Sequence, residues 1–199
     1  MSEDFDPDKL HDPGGKTRIA LPEDVRGDAR YSHCGRYRQL LERDWTPQGE
    51  TPRTLMFVGL NPSVAGATHQ DPTCARETDR ARRLGYTRYL KGNILDWRAT
   101  SPRDIPHDPD IACSPGNLPA LLEMANQSEA IVLAYGRVHK RYAAIVDRML
   151  KALRETGRPL VCLGLNKDGS PKHPLYIRND APLVPFPLQG DSAGGDPGV

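Results

Sequence analysis

The chain has 199 residues, 37% of them hydrophobic and 27% charged, with a formal net charge of +1 and a mean hydropathy of −0.61. The composition argues against a membrane span, which needs ~20 consecutive apolar residues, and the acidic N-terminus lacks the pattern of a secretory signal. The four cysteines form no Cys-x-x-Cys pair, which argues against zinc and iron–sulfur sites and fits the reducing cytoplasm, so no metal and no cofactor is expected.

Charge is distributed unevenly along the chain. Residues 1–29 carry 4 Lys or Arg and 8 Asp or Glu, and residues 179–199 carry 3 Asp and no basic residue. The middle, residues 30–178, therefore has a net charge of +8. A basic body between acidic ends is compatible with DNA, a nucleotide or a nucleoside as partner, although a solvated Arg-rich helical face explains the same charge.

The chain divides into a domain and two tails. Residues 1–29, acidic and rich in Pro and Gly, are predicted to be a flexible N-terminal arm, and residues 186–199 a disordered C-terminal tail. Between them, residues 30–185 are predicted to form a single α/β domain, since domains typically run ~100–200 residues.

Apolar, β-rich runs alternate with helical patterns inside the domain. The predicted helices are Tyr31–Arg43, Thr73–Leu84, Leu118–Asn126 and Val138–Glu155, and the predicted strands are residues 54–60, 89–95, 130–136 and 159–165. From the first strand onward, this alternation is typical of βαβ units. The expected fold class is therefore a three-layer α/β/α sandwich with a central, mainly parallel four-stranded sheet.

A polar motif follows each predicted strand. These motifs are residues 61–63, Asn93, residues 135–137 and residues 166–174. In parallel sheets, ligands bind in the crevice beyond the carboxyl ends of the strands. We therefore expect the loops after strands 54–60 and 159–165 to form two walls of one ligand site.

Asn61 and Asp71 are the candidates nearest the first strand. Pro62 fixes the backbone beside Asn61 and holds its carboxamide in one direction, which suits it to position a water molecule or a base edge. An Asx turn is the alternative. Asp71 is the only carboxylate between Glu50 and Glu77 and is a candidate general base or charge stabiliser, with a helix N-cap as the alternative.

Asn93 and His173 are the candidates at two other strand ends. The carboxamide of Asn93 offers the acceptor and donors needed to read an amide-like edge, and Arg98 and Thr100 nearby are suited to bind phosphate. His173 is presented beside a proline, and a neutral imidazole can donate to an oxygen that gains negative charge. A purely structural histidine is equally compatible with this pattern.

Basic side chains form a further group. The predicted helix carries Arg76, Arg80, Arg82 and Arg83, and Arg88 and Lys91 follow it along the chain. This basic face is either a phosphate-binding face or a solvated one. The phosphate candidates are Arg76, Arg80, Arg83, Arg137 and Lys172, and the remaining substrate-binding candidates are Pro62, Ser63, Lys167 and Tyr176. The phosphate-loop, dinucleotide-binding, zinc-protease and serine-hydrolase motifs are absent from the sequence.

The ordered set of motifs resembles a known family. The segments that carry the resemblance are residues 37–45, LNPS (60–63), QDPT (70–73), RRLGY (82–86), NILDWRAT (93–100) and CLGLNKDGSPKHPLYI (162–177). They look like a bacterial and phage family that is described only as a domain of unknown function. The resemblance covers about residues 31–185, nearly the whole predicted domain.

A more distant similarity is to uracil-DNA glycosylases of the mismatch-specific kind. These enzymes carry G-I-N-P-G after their first strand, an Asn-containing segment at the second strand end, and an H-P or N-P motif after the fourth. This chain has Gly59 to Ser63, Asn93 and His173-Pro174 in the same order. The resemblance implies that Asn61 positions water, Asn93 reads the base and His173 stabilises the departing base.

The chain departs from the glycosylase motifs in three places. Ser63 replaces the second glycine of the first motif, His-Pro-Leu-Tyr replaces the usual His-Pro-Ser, and no aromatic stacking element follows Pro62. Cleavage of an N-glycosidic bond would use Asp71 to stabilise the oxocarbenium-like sugar or to deprotonate water. The base would first be flipped out of the DNA duplex, and Leu175 or Tyr176 is the candidate side chain that wedges into the duplex in its place.

Three hypotheses follow from the sequence. The first is a DNA-base N-glycosylase or related enzyme that acts on a flipped base, modified or not. The second is an enzyme with the same pocket that acts on a free nucleoside, nucleotide or sugar-like metabolite. The third is a non-catalytic module that binds a modified base or a nucleotide.

Overall fold

The computed structural model describes residues 11–15 and 17–187. Most of the predicted C-terminal tail and the start of the predicted N-terminal arm therefore lie outside the described residues. The described chain forms a mixed α/β fold. Its strands are β1 (Ile19–Ala20), β2 (Arg26–Tyr31), β3 (Arg38–Asp44), β4 (Thr54–Gly59), β5 (His69–Gln70), β6 (Arg88–Asn93), β7 (Ala130–Leu133), β8 (Leu160–Cys162) and β9 (Val184–Pro185).

Four α-helices accompany the strands in the described part of the chain. They are α1 (Pro72–Arg83), α2 (Pro109–Ala112), α3 (Asn117–Asn126) and α4 (Ala143–Glu155), with 3₁₀ turns at Pro102–Asp104, Lys140–Tyr142 and Pro174–Tyr176. Helix α1 begins after the N-cap Asp71, and α4 ends before Gly157, whose φ of 69° provides the left-handed turn that stops a helix. No helix in the described part of the chain is long and apolar enough to cross a membrane.

Seven strands form one mixed sheet in the order β2-β3-β6-β4-β7-β8-β9. Strand β4 is parallel to β6 and β7, and β7 is parallel to β8, whereas β2, β3 and β9 run antiparallel to their neighbours. Strands β1 and β5 pair separately. The sheet is thus larger than the four strands predicted, because three antiparallel strands extend its two edges.

The helix predicted at Tyr31–Arg43 is wrong. Residues 38–44 are strand β3, which pairs with β2 on one side and with β6 on the other. Its Arg, Gln, Leu and Glu residues favour a helix locally, but the unpaired edge of β6 provides backbone partners that local sequence does not reveal. Arg43 supports the strand, because its buried guanidinium donates to the carbonyls of Gly66 and His69.

The predicted boundary at residue 30 also differs from the structure. Strand β2 begins at Arg26, inside the predicted arm, and pairs with β3 from Arg26 to Tyr31. Ile19 and Ala20 pair with β5. The physical reason is again strand pairing. Strand β3 pairs with β6 along one edge, and its other edge provides the backbone partners of β2.

Two apolar clusters lie on either side of the central strands. One contains Met56 and Val58 of β4 with Leu121 of α3 and Met149 of α4. The other contains Leu55 and Phe57 of β4 with residues of α1. Because successive residues of a strand point to opposite faces, helix α1 lies on the opposite face of the sheet from α3 and α4.

Candidate functional site

A cavity of about 390 Å³ opens where β4, β6 and β7 end, the edge at which parallel sheets bind ligands. Its volume lies within the roughly 300–1,000 Å³ of small-molecule sites. Many candidates named from the sequence line it: Asn61, Ser63, Asp71, Asn93, Thr100, Arg137, His173 and Tyr176. The loops after β4, β6, β7 and β8 all contribute side chains.

A larger cavity of about 580 Å³ lies beside α4 and shares Tyr135 with the first. None of the candidates named from the sequence lines this second space. Size alone therefore does not mark the site. The smaller cavity is the candidate functional site because it gathers the polar side chains that chemistry needs.

Asn93 has the most unusual environment in the candidate site. Its side chain is 1% exposed, and neither Nδ2 nor Oδ1 has a hydrogen-bond partner among the described residues. Leaving a buried polar group unpaired costs about 1–3 kcal/mol. The residue lines the cavity, so this unpaired donor and acceptor lie beside the space that a ligand would occupy.

One face of β6 forms the floor of the cavity. Tyr89, Lys91 and Asn93 alternate along the strand and so point to the same side of the sheet. Lys91 Nζ donates to both carboxylate oxygens of Glu77 at 2.7 Å, and the Tyr89 hydroxyl donates to Glu77 at 2.6 Å. Burial raises the pKa of Tyr89 well above its usual value, so this phenol remains a donor.

Gly59, at the end of β4, makes room for this floor. A Cβ built on Gly59 would lie 2.8 Å from Asn93 Oδ1 and 2.9 Å from Lys91 Nζ. Real Cβ atoms essentially never approach heavy atoms this closely. The two polar groups therefore approach the backbone of β4 because position 59 has no side chain.

Asn61 joins two of the loops. Its Nδ2 donates to the backbone carbonyls of Pro62 and Ala99 at 2.9 and 2.8 Å. These bonds fix the carboxamide, while Oδ1 accepts no hydrogen bond from the residues the structure describes. An oriented acceptor at a cavity wall is suited to hold a water molecule.

Asp71 is both an N-cap and a cavity residue. Its Oδ1 accepts from the backbone N–H of Cys74 at 2.9 Å, which confirms the N-cap interpretation. The carboxylate is also buried and lines the cavity. Burial, followed by the nearby charge of Asp71, raises the pKa of the Cys74 thiol to about 12, so Cys74 is no nucleophile at neutral pH.

His173 and Tyr176 form the opposite wall. The backbone N–H of Leu175 donates to His173 Nδ1 at 3.3 Å, and this bond caps the 3₁₀ turn at Pro174–Tyr176. A neutral ring that accepts at Nδ1 carries its proton on Nε2. Tyr176 is 86% exposed, with its ring centroid 5.7 Å from that of His173.

Two further buried residues line the cavity, and of these Arg38 was not named from the sequence. Arg38, on β3, is buried, and its Nη1 donates to the carbonyl of Ala65 at 2.6 Å. Tyr135 is buried at the end of β7, and burial raises the pKa of its phenol to about 12. The guanidinium of Arg38 and the carboxylate of Asp71 both line the cavity.

Arg76 and Arg80, predicted to belong to a phosphate-binding face on α1, donate hydrogen bonds to the chain itself. Arg76 donates to the carbonyl of Ile177, and Arg80 donates to those of Arg178 and Ala181. Both side chains thereby hold the segment after the 3₁₀ turn against the helix. Arg83 forms a surface ion pair with Asp79.

The remaining candidates are spread around the cavity. Arg98 is buried, does not line the cavity and donates to the carbonyls of His11 and Gly35. Thr100 lines the cavity and donates to the carbonyl of Pro13 at 3.2 Å. Arg137 lines the mouth and pairs with Asp168.

Three further substrate or phosphate candidates also lie outside the cavity lining. Pro62 is buried behind Asn61, where its carbonyl accepts from Asn61 and from Ala99. Lys167 is exposed in the loop after β8, and Lys172 packs beside Gly164. None of the three contributes to the lining of the candidate site.

Metal-binding clusters of three or more His, Cys, Asp or Glu side chains are not found within residues 11–15 and 17–187. The donors in the cavity are mainly amide, hydroxyl, imidazole and cationic groups. Such groups suit hydrogen bonding to a polar organic ligand.

Comparison with known proteins gives one family. A family model described as "Protein of unknown function (DUF1643)" matches residues 36–175. This span runs from the start of β3 to the His173 loop and contains most of the cavity lining. No curated protein and no solved structure matches the chain.

Proposed function

The chain belongs to the DUF1643 family of proteins of unknown function, and from its cavity we propose that it hydrolyses the N-glycosidic bond of a nucleobase. The preferred substrate is a base flipped out of DNA. The proposal includes a three-layer α/β/α architecture like that of uracil-DNA glycosylases. It also includes the cytoplasm as the compartment, to which four free cysteines are suited.

The observation that carries the proposal is the buried, unpartnered carboxamide of Asn93. An amide edge of a base offers one carbonyl and one adjacent N–H, which match Nδ2 and Oδ1 of Asn93. Binding such an edge would recover the cost of leaving both atoms unpaired.

The walls of the cavity supply the groups that hydrolysis requires. Asn61 Oδ1 orients water, and the Asp71 carboxylate stabilises the oxocarbenium-like sugar or takes the proton of that water. The oxygen of water forms a bond to the anomeric carbon as the bond from that carbon to the base breaks. His173 donates from Nε2 to the departing base, which leaves with the electron pair.

The charge of the cavity supports an anionic leaving group. Arg38 and Lys91 line it as buried cations, and Asp71 is the carboxylate that lines it. Electrostatic interactions between buried groups are stronger than between groups in bulk water. The cavity is thus suited to hold a base that gains negative charge as it departs.

A second candidate is the same reaction on a free nucleoside or nucleotide. The favouring observation is that Arg76 and Arg80, expected to bind a phosphate backbone, donate instead to carbonyls of the chain. A free substrate needs no extended phosphate contacts. Its binding would be insensitive to salt, whereas DNA binding weakens steeply with salt.

The test measures base release from the full chain. Single-stranded and duplex DNA carrying uracil, hydroxymethyluracil or other modified bases is incubated with the protein, followed by alkaline cleavage. Free nucleosides and nucleotides are assayed in parallel by chromatography. Release from DNA supports the first candidate, release from free compounds supports the second, and no release by folded protein in either arm contradicts both.

A further inference from the structure

Lys91 can do more than add positive charge to the cavity. It is buried, lines the cavity beside Asn93 and lies two residues before it on the same strand. An ammonium has three N–H donors. Two hydrogen bonds of Nζ go to Glu77, and it has no further partner among the described residues, so one donor remains for a ligand.

The order of the polar atoms on the floor follows from Gly59. The atoms nearest to a Cβ built there are Asn93 Oδ1 at 2.8 Å and Lys91 Nζ at 2.9 Å, and Asn93 Nδ2 is not one of the three nearest. Of the two polar carboxamide atoms, the oxygen is therefore the one nearer to this point beside the ammonium. This orientation is also the favourable one, because the negative end of the amide dipole faces the positive charge.

We propose that Lys91 is a specificity-determining residue, and that with Asn93 it presents a donor–acceptor–donor row which selects bases with an imide edge. An imide edge has two carbonyls on either side of one N–H. Asn93 Nδ2 donates to the first carbonyl, Oδ1 accepts from the N–H, and Lys91 Nζ donates to the second carbonyl. This inference rests on the proposed function and names its substrate class.

The row discriminates among the common bases. Uracil, thymine and xanthine carry the imide edge. Cytosine and adenine present an amino group where a carbonyl is required, and guanine presents one opposite Lys91. Each mismatch sets two donors against each other in a buried site, and an unsatisfied buried donor is costly.

The Glu77–Lys91 pair keeps the ammonium in place. Both oxygens of Glu77 accept from Nζ, and Tyr89 adds a third hydrogen bond to the same carboxylate. A buried ion pair contributes little to stability compared with apolar residues of the same size. Its presence beside an open cavity is explained by the donor that it supplies.

The test compares two free bases that differ by one carbonyl. Uracil has the imide edge, whereas pyrimidin-4-one keeps the amide edge that Asn93 reads and lacks the second carbonyl. Their affinities for the full chain are measured by isothermal titration calorimetry. A hydrogen bond to a charged group predicts that uracil binds about tenfold more tightly, or better.

Two variants distinguish a loss of base recognition from a loss of the folded state. Lys91→Met removes the donor but leaves Glu77 buried and unpaired, so the double variant Lys91→Met/Glu77→Gln is measured beside it. In either folded variant the preference for uracil should fall to about twofold or less. Tyr89→Phe is the matched control, because it removes a hydrogen bond from Glu77 and should keep the preference.

The outcomes distinguish this inference from the proposed function. If wild-type protein binds both bases equally, or if the double variant keeps the preference for uracil, the role of Lys91 is wrong while base recognition stands. If folded wild-type protein binds neither base, then the proposed function and this inference both fail.

Discussion

Glu77 accepts two hydrogen bonds from Lys91, each 2.7 Å long, although both side chains are almost completely buried. The pair connects α1 to the floor of the cavity on β6. Two charged groups are thus removed from water at the point where the sheet meets a ligand site. Several consequences of this arrangement and of its surroundings can be measured.

Glu77→Gln should lower the free energy of unfolding by about 3–5 kcal/mol, because it leaves a buried ammonium without its counter-charge. Urea denaturation measures this loss. The double variant Glu77→Gln/Lys91→Met removes both charges and should recover most of the lost stability. A Glu77→Gln protein as stable as the wild type would show that the charge of Lys91 is not buried in solution.

Gly59→Ala should weaken uracil binding by about tenfold or more, the effect of one misplaced methyl group in a tight pocket. The added Cβ would displace Asn93 Oδ1 and Lys91 Nζ from their positions. Gly66→Ala is the matched control, since its Cβ would lie 3.0 Å from the Tyr31 hydroxyl, away from the cavity. Equal losses in both variants would contradict the prediction.

Asp71→Asn should separate the two roles of Asp71. Asparagine can still accept from the Cys74 N–H, so the free energy of unfolding should stay within about 1 kcal/mol of wild type. Base release should fall about 10²–10⁴-fold, because the charge is lost. Single-turnover assays and thermal denaturation measure the two effects, and Asp71→Ala should lose both. If Asp71→Asn releases base as fast as the wild type, Asp71 serves only as the N-cap of α1.

Arg80→Met should loosen the chain after the 3₁₀ turn, since Arg80 donates to the carbonyls of Arg178 and Ala181. Hydrogen exchange followed by mass spectrometry should show faster exchange in residues 177–181. Arg83→Ala removes only a surface pair and should leave exchange unchanged. If Arg80→Met instead reduces DNA binding without changing exchange, Arg80 contacts phosphate after all.

Cys34 should react first with iodoacetamide at neutral pH. A hydrogen bond with Ser32 lowers the pKa of the exposed Cys34 thiol, whereas burial raises the pKa values of Cys74, Cys113 and Cys162. Since the thiolate is the nucleophile, labelling should rise with pH at a midpoint below that of an ordinary thiol. Peptide mapping identifies the site, and early labelling of Cys74 would show that its surroundings open.

The central strands were predictable from the sequence because they are buried on both faces. Every residue of β4 is buried, and such a strand produces an uninterrupted apolar run. The edge strand β3 was not predictable in the same way. Its residues favour a helix, and what decides its conformation is the backbone of β6, which lies far along the chain.

The candidate site shows a similar division. Asn61, Asp71, Asn93 and His173 follow strand ends or open a helix, so their positions were evident from local pattern. Lys91 was assigned to a basic face because it lies near several arginines. A signal was nevertheless present, since a lysine two residues before Asn93 in an apolar strand must share its face.

Arg76 and Arg80 illustrate what the sequence could not reveal. Their spacing indicates one face of α1, but it does not show that the returning chain lies across this face. Buried backbone carbonyls require donors, and the guanidinium groups meet that need for residues 177–181. Whether an arginine binds a ligand or the chain itself depends on packing between segments about 100 residues apart.

The pairing of β2 with β3 has a practical consequence for producing the protein. The family match begins at residue 36, after β2 has ended. A recombinant fragment cut at that position would expose the whole edge of β3, and a free strand edge acts as a template for aggregation. Expression vectors should therefore retain residues 26–31, so that aggregation caused by the missing strand is not taken for an intrinsic property of the family.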